Sequence, residues 1–186
     1  MTVTGRVWDR THGEETMAVS NGIHGEPQTM SDELLQLVSF NIGDEKFGVD
    51  ILKVKEINRM LDVTRVPNSP ACVDGVINLR GKVIPIIDLR GRFGIERKAH
   101  DKNTRIVVVD LAGTMVGFVV DSVQEVLRIP KNITEPPPSI VAGKSADFIT
   151  GVGKLGDELL LLLDLEKTLS LGTSADVIDA AMKETG

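Results

Sequence analysis

Three charged side chains, those of Asp88, Asp164 and Arg80, are the first candidates for a catalytic or binding role. Asp88 and Asp164 each end an apolar run, and two carboxylates can divide the acid and base roles of a catalytic site. Arg80 lies in the turn Leu79-Arg80-Gly81 of a hairpin predicted over residues 75–89, where its planar guanidinium would suit carboxylates or backbone carbonyls of a partner. The aspartates therefore suggest an enzyme or a ligand-binding module, and the arginine suggests an interaction surface.

The rest of the sequence does not support catalysis. Two of the three histidines, His12 and His24, lie in a polar N-terminal stretch, and His100 has no evident partner for nucleophilic chemistry. The chain has no phosphate-binding loop and no dinucleotide fingerprint. Cys72 is the only cysteine, so one chain can form neither a disulfide nor a cysteine metal site. We therefore predict no catalytic residue, no metal and no cofactor.

An internal duplication explains the two aspartates. Residues 75–89 read GVINLRGKVIPIIDL, and residues 151–165, 76 positions later, read GVGKLGDELLLLLDL. Residues 40–57 match residues 109–126 at an offset of 69. Asp88 and Asp164 thus occupy equivalent strand ends, where aspartate usually caps the following turn.

Residues that both copies share are expected to serve the common fold. Gly48 matches Gly117 and Gly75 matches Gly151, so these four are predicted to be structural, together with Gly81, which can supply a positive φ in the turn. The turn itself differs, because residues 78–81 read NLRG whereas residues 154–157 read KLGD. This difference makes the arginine a candidate functional residue.

Short apolar runs separated by turn signals predict a mainly β protein with two small pseudo-repeated barrels. Whether each barrel is contiguous in sequence is left open. Residues 1–33 are predicted to be a flexible acidic tail and residues 34–170 the double-barrel domain. Residues 171–186 are predicted to hold a short C-terminal helix, with Val177, Ile178, Ala181 and Met182 on one face.

Charge and hydropathy exclude two classes of partner. A net charge of −6 and a pI near 5.1 argue against nucleic acid, which requires a basic surface. The longest leucine run, residues 159–163, is far too short to insert into a membrane. Together with the single cysteine, these features predict a cytoplasmic protein.

Four segments resemble the CheW family of bacterial chemotaxis coupling proteins. They are residues 48–57 (GVDILKVKEI), 75–89, 116–121 (VGFVVD) and 155–165. The resemblance implies two SH3-like five-stranded barrels and no enzymatic activity. It also implies an adaptor between the cytoplasmic tip of a chemoreceptor and the regulatory domain of a CheA-type histidine kinase, recruited to membrane-associated receptor arrays.

The resemblance further implies the contact residues. Glu56 and Arg80 would bind the receptor and could pair across a groove, with Val54, Ile57, Asn78 and Leu79 beside them. In the other copy Glu125 has no arginine counterpart, because Gly156 stands there. Ile140 and Val141, after a run of three prolines, would contribute to the kinase or ring interface.

Two alternatives remain open at this stage. A coupling protein of a non-chemotactic pathway, such as pilus motility or second-messenger control, would have the same sequence features. A small-barrel enzyme or ligand-binding module would place Asp88 and Asp164 at its site.

Overall fold

The computed structural model describes residues 33–137 and 146–170, and these residues form two β-sheets. The strands are β1 (Leu34–Ile42), β2 (Glu45–Asp50), β3 (Val54–Arg59), β4 (Val73–Leu79), β5 (Lys82–Asp88), β6 (Arg105–Leu111), β7 (Thr114–Val120), β8 (Ser122–Pro130), β9 (Thr134–Glu135), β10 (Ile149–Leu155) and β11 (Glu158–Leu163). Two short helices follow the fifth and eleventh strands: α1 (Leu89–Phe93) and α2 (Leu165–Ser170).

Each sheet contains two tight hairpins, and every hairpin has a two-residue loop. In the first sheet both loops read Gly-Asp, with positive φ at Gly43 and Gly156. In the second sheet the loops are Arg80-Gly81 and Ala112-Gly113, where all four residues have positive φ, as type I′ turns require. The turn chemistry fixes the register of each strand pair.

The two sheets exchange strands between the sequence repeats. The strand order is β8-β1-β2-β11-β10-β9 in the first sheet and β3-β6-β7-β5-β4 in the second. The second domain, built on the five-stranded sheet, is therefore continuous from residue 54 to residue 120. The first domain, built on the six-stranded sheet, is assembled from both ends of the described chain. This settles the question of contiguity that the sequence left open.

The register of the two sheets shows the duplication directly. Strand β5 pairs in parallel with β7, with Ile86 opposite Gly117. Strand β11 pairs in parallel with β2, with Leu162 opposite Gly48. The two pairs are equivalent, because Ile86 matches Leu162 at the offset of 76 and Gly48 matches Gly117 at the offset of 69. The equivalent hairpins β4–β5 and β10–β11 also each carry a bulge, just before Gly75 and Gly151 respectively.

The largest apolar cluster lies between the two sheets. It joins Phe40 and Phe47 of the first domain to Val107 and Phe118 of the second. Smaller clusters fill the second domain, around Ile84 and Ile106, and the first domain, around Leu160 and Ile129. Because the main core is shared, burial of apolar surface holds the two domains together.

The predicted fold class is confirmed: the protein is mainly β, with two SH3-like domains, and the first sheet carries β9 as an additional two-residue strand. Residues 1–32 of the predicted tail and the predicted C-terminal helix within residues 171–186 lie outside the described residues. Within the described part of the chain, no helix has the length and hydropathy needed to cross a membrane.

Candidate interaction surface

The Glu56–Arg80 surface consists of Val54, Glu56, Ile57, Asn78, Leu79 and Arg80. Its central contact is an ion pair between Arg80 Nη2 and Glu56 Oε1, 3.2 Å apart. The Arg80 side chain is 79% exposed, whereas the Glu56 side chain is only 24% exposed. The carboxylate is therefore held in the sheet while the guanidinium stands in solvent above it.

The ion pair joins strands from opposite edges of the second sheet. Glu56 lies on β3 and Arg80 follows β4, and these strands are the two ends of the sheet order. Thr64, in the segment after β3, also forms a bridge with Val76 of β4. The sheet must curve until its edges meet, as in a small barrel, and the ion pair lies across that closure.

The backbone at Arg80 adopts an unusual conformation for a side chain of this kind. Its φ is 55°, and the hairpin is tied by a hydrogen bond that the Gly81 amide donates to Asn78 Oδ1 at 2.8 Å. A left-handed conformation costs a non-glycine residue about 1–2 kcal/mol. Gly156, the equivalent residue of the first domain, has φ 62° and avoids that cost. The turn itself therefore favours glycine, and not arginine, at this position.

Apolar side chains flank the ion pair. Ile57 is 41% exposed on β3, whereas Val54 and Leu79 are half-buried and pack against the apolar clusters. Val83, on the other arm of the hairpin and opposite Asn78, is 43% exposed. Sequence reasoning missed Val83. Its position next to the hairpin loop was the available signal, because an apolar side chain there lies too far from the core at the other end of the hairpin to be buried in it.

The equivalent surface of the first domain has the same apolar positions without the ion pair. Val126 and Leu159, the counterparts of Ile57 and Val83, are 52% and 57% exposed. Glu125 is exposed, and within residues 33–137 and 146–170 its carboxylate forms no ion pair. Lys154 Nζ bonds instead to Glu135 Oε1 at 2.8 Å. The two domains therefore differ at the position where the sequence repeats differ.

Asp88 and Asp164 cap two different helices. Asp88 Oδ1 accepts a hydrogen bond from the Arg90 amide at 2.9 Å, at the start of α1. Asp164 Oδ1 accepts bonds from the amides of Glu166 and Lys167, at 3.0 and 3.1 Å, at the start of α2. Their capping role is the one predicted from the duplication, and it satisfies backbone donors that the helix leaves unpaired.

A groove of about 420 Å³ lies beside Asp88 and is lined by both acidic and basic residues. Arg97 spans it, with Nη2 3.0 Å from Asp74 Oδ1 and Nε 3.4 Å from Asp88 Oδ2. Burial, and secondarily the charge of Asp74, raises the pKa of Asp88 above its ordinary value. The carboxylates of Asp74 and Asp88 are thus already engaged, by Arg97 and, for Asp88, by the cap of α1. Within the described residues, no group of three or more His, Cys, Asp or Glu side chains is arranged to hold a metal ion.

The glycines predicted to be structural lie in crowded or turned positions. A Cβ on Gly117 would lie 2.5 Å from Ile86 Cδ1, whereas one on Gly48 would lie 3.2 Å from Leu160 Cδ2. Gly81 has φ 83° in the hairpin loop.

The second pair of glycines, those of the bulged hairpins, differs more. Gly75 has φ 145°, and a Cβ there would collide with the carbonyl oxygen of Thr64. A Cβ on Gly151 would lie 3.3 Å from the carbonyl oxygen of Glu135. Ile140 and Val141, predicted to contact the kinase, lie outside the described residues.

The fold and the site define a duplicated two-domain β protein whose domains share a core and differ in one ion-paired surface. The chain belongs to the CheW-like family, since the model of the CheW-like domain matches residues 36–172. It is 41% identical over 143 residues to the chemotaxis protein CheW of Klebsiella aerogenes, covering 77% of this chain and 84% of that protein. It is 37% identical over 145 residues to the chemotaxis protein CheW of Helicobacter pylori, covering 78% and 87%.

A solved structure agrees with these sequence matches. The crystal structure of the scaffolding protein TtCheW from Thermoanaerobacter tengcongensis superposes with a TM-score of 0.69 at 34% identity. The match covers 75% of this chain and 95% of that one. The predicted family is therefore confirmed.

Proposed function

We propose that this protein is a non-enzymatic chemotaxis adaptor that couples the cytoplasmic tip of a chemoreceptor to the regulatory domain of a CheA-type histidine kinase. The observation that carries the proposal is the Glu56–Arg80 ion pair across the closure of the second domain. Relatives named for chemotaxis, and a solved relative described as a scaffolding protein, support the same reading.

The ion pair suits a protein partner rather than a small substrate. Arg80 projects from a hairpin tip and is exposed, while Glu56 below it orients the guanidinium. Arginine among exposed apolar side chains, here Ile57 and Val83, is a typical composition for an interaction hot spot. A receptor helix carrying carboxylates or exposed carbonyls beside apolar side chains would meet both chemistries.

The two-domain architecture suits a coupling role. Strands β3 and β8 pass each repeat into the other domain, and one apolar core joins the two sheets. A receptor bound at the second domain would thus be connected through the shared core to kinase contacts elsewhere, which we propose are Ile140 and Val141. We propose a cytoplasmic location, with recruitment to membrane-associated receptor arrays.

Titration calorimetry with the full chain tests this function. We expect micromolar or tighter binding both to the regulatory domain of the host's chemotaxis kinase and to a soluble receptor-tip fragment. Arg80→Ala should weaken receptor binding at least about tenfold, or about 1.4 kcal/mol, and should bind the kinase domain as the wild type does.

Lys154→Ala is the matched control, because Lys154 lies at the equivalent hairpin of the first domain and has its own exposed ion pair. It should leave receptor binding unchanged. Failure of the wild type to bind either partner would contradict the proposal and would favour a non-chemotactic pathway. Equal losses in both variants would show that Arg80 is not a specific contact.

A further inference from the structure

The chain passes between the two domains twice within the described residues. It leaves the first domain after β2, through the 3₁₀ turn Ile51–Lys53, and returns after β7 through Asp121. At each crossing, a charged side chain from one of the short helices α1 and α2, which follow the two equivalent hairpins, forms an ion pair. Arg90 of α1 binds Asp121 at one crossing, and Glu166 of α2 binds Lys53 at the other.

The Arg90–Asp121 contact is a two-point ion pair. Arg90 Nε lies 2.8 Å from Asp121 Oδ1, and Nη2 lies 2.6 Å from Oδ2. Both side chains are largely covered, with exposures of 16% and 21%. The hydrogen bonds from Arg90 hold the pKa of Asp121 below its ordinary value, so the pair stays charged at neutral pH.

This ion pair also binds segments of both domains. Asp121 Oδ2 accepts a hydrogen bond from the Gly43 amide at 2.8 Å, in the β1–β2 turn of the first domain. The Asp121 amide donates to the carbonyl of Asn41 at 3.0 Å. On the other side, Arg90 Nη1 donates to the carbonyl of Glu96 at 2.7 Å. Arg90 thus connects α1 and the loop after it to the crossing, and Asp121 connects the crossing to a hairpin of the other domain.

The contact at the other crossing has the opposite polarity and is exposed. Glu166 is the equivalent of Arg90, 76 residues later, and its Oε1 lies 2.8 Å from Lys53 Nζ. The two side chains are 58% and 36% exposed. Exposed pairs of this kind are screened by solvent and contribute little, so the duplication provides an internal control for the buried pair.

We propose that Arg90 and Asp121 are positioning residues that fix the angle between the two domains. The shared core between the sheets is apolar, and apolar burial is non-directional. A planar guanidinium bonded at two points to a carboxylate does impose a direction. The pair therefore selects one arrangement among those the core would permit, at the point where the chain crosses between the domains.

Distance measurement between spin labels on the two domains tests this inference without any partner. Labels at Gln36→Cys in the first domain and Lys102→Cys in the second, both exposed positions, are introduced in a Cys72→Ala background. The parent should give one narrow distance distribution. Arg90→Gln, which removes the charge and the guanidinium fork, should shift its centre or broaden it roughly twofold, because the directional restraint is lost.

Three further variants make the test decisive. Asp121→Asn, which keeps the shape of the carboxylate, should act like Arg90→Gln. Arg90→Lys, which keeps the charge but not the fork, should lie between the parent and Arg90→Gln. Lys53→Gln, the matched control, should resemble the parent. A parent-like distribution in Arg90→Gln and Asp121→Asn would overturn the proposal, even if both variants melted at a lower temperature.

The consequence for signalling rests on the proposed function and is measured separately. If that function holds, Arg90→Gln should bind the receptor fragment within about threefold of the wild type, a difference below about 1 kcal/mol. It should nevertheless lose most receptor-dependent control of the kinase. Parallel loss of binding and control would overturn this extension, whereas absence of wild-type binding would count against the proposed function and not against the distance result.

Discussion

The two domains share a hairpin that is used differently in each. In the first domain the loop is Gly156-Asp157, and the residue with positive φ is a glycine. In the second domain the equivalent residue is Arg80, which adopts positive φ and pairs with Glu56. Ala112, in the other hairpin of the second domain, also has a positive φ. This sheet therefore tolerates backbone strain at a residue whose side chain cannot form an ion pair.

The difference separates what the fold needs from what the surface adds. Both hairpins need a tight turn with the same register, and both domains retain an exposed apolar side chain on each neighbouring strand. Only the second domain adds a guanidinium and a carboxylate that orients it. We infer that duplication supplied two equivalent frameworks and that the ion-paired surface, which we propose binds the receptor, arose on one of them.

The largest expected effect concerns the bulged glycines. Gly75→Ala should lower the free energy of unfolding by more than about 3 kcal/mol, because the new Cβ meets a backbone oxygen that cannot move independently and φ is unfavourable. Gly151→Ala should cost only about 1 kcal/mol, since its nearest contact is 3.3 Å away. Urea denaturation measures both. Equal costs would contradict the assigned difference between the hairpins.

The glycines of the parallel pairings should differ less. Gly117→Ala should cost about 2 kcal/mol, because Ile86 and Ile106 are both fully buried and crowd the new methyl group. Gly48→Ala should cost less than about 1 kcal/mol, because only the end of the Leu160 side chain must shift. The same denaturation series gives the comparison. A larger cost at Gly48 would show that the first domain is the more tightly packed one.

The pH dependence of stability should distinguish two carboxylates. Asp121 has a lowered pKa in the folded state, so its contribution to stability is present above the unfolded pKa of about 3.9 and is lost as pH falls through the folded pKa. Asp121→Asn should remove that acid-side loss. Thermal unfolding measured across acidic pH checks the sign.

Asp88 should behave in the opposite way. Because its pKa is raised in the folded protein, its contribution to stability is complete below the unfolded pKa of about 3.9 and is lost as pH rises through the folded pKa. Asp88→Asn, which retains a capping oxygen, should therefore gain stability relative to the wild type as pH rises toward neutrality. A constant difference between the two proteins at all pH values would contradict this assignment.

The smallest expected effect on stability is at the ion pair itself. Arg80→Ala should change the free energy of unfolding by no more than about 0.5 kcal/mol, because the arginine is exposed and its loss also relieves little backbone strain. Glu56→Ala should cost slightly more, since Glu56 is partly covered. A loss of several kcal/mol in Arg80→Ala would mean that the pair serves the fold and not the surface.

Local sequence signals predicted much of this structure. The duplication predicted which glycines and aspartates are equivalent, and both aspartates do cap the helices that follow. The turn signal around Gly81 gave the hairpin, because two-residue loops impose their own backbone requirements. Arg80 emerged from the difference between the copies, and the resemblance to the family supplied Glu56.

Non-local contacts could not be predicted in this way. The exchange of β3 and β8 between the repeats depends on which strand edge is nearest in space. The alternation of side chains along a strand shows which residues share a face, but it does not show which strand is the pairing partner. The contact between Gly75 and Thr64 arises from the curvature of the sheet. The Arg90–Asp121 pair joins residues 31 positions apart. Asp121 ends one of the segments that carry the family resemblance, but nothing in the sequence indicated Arg90 as its partner.

The most direct test is a reconstituted assay of receptor-dependent kinase activity with wild type, Arg80→Ala and Lys154→Ala. We predict that Arg80→Ala is folded and binds the kinase regulatory domain normally, but no longer places the kinase under receptor control, while Lys154→Ala behaves as the wild type. Full receptor control by Arg80→Ala would contradict the assignment of the receptor surface to the ion pair of the second domain.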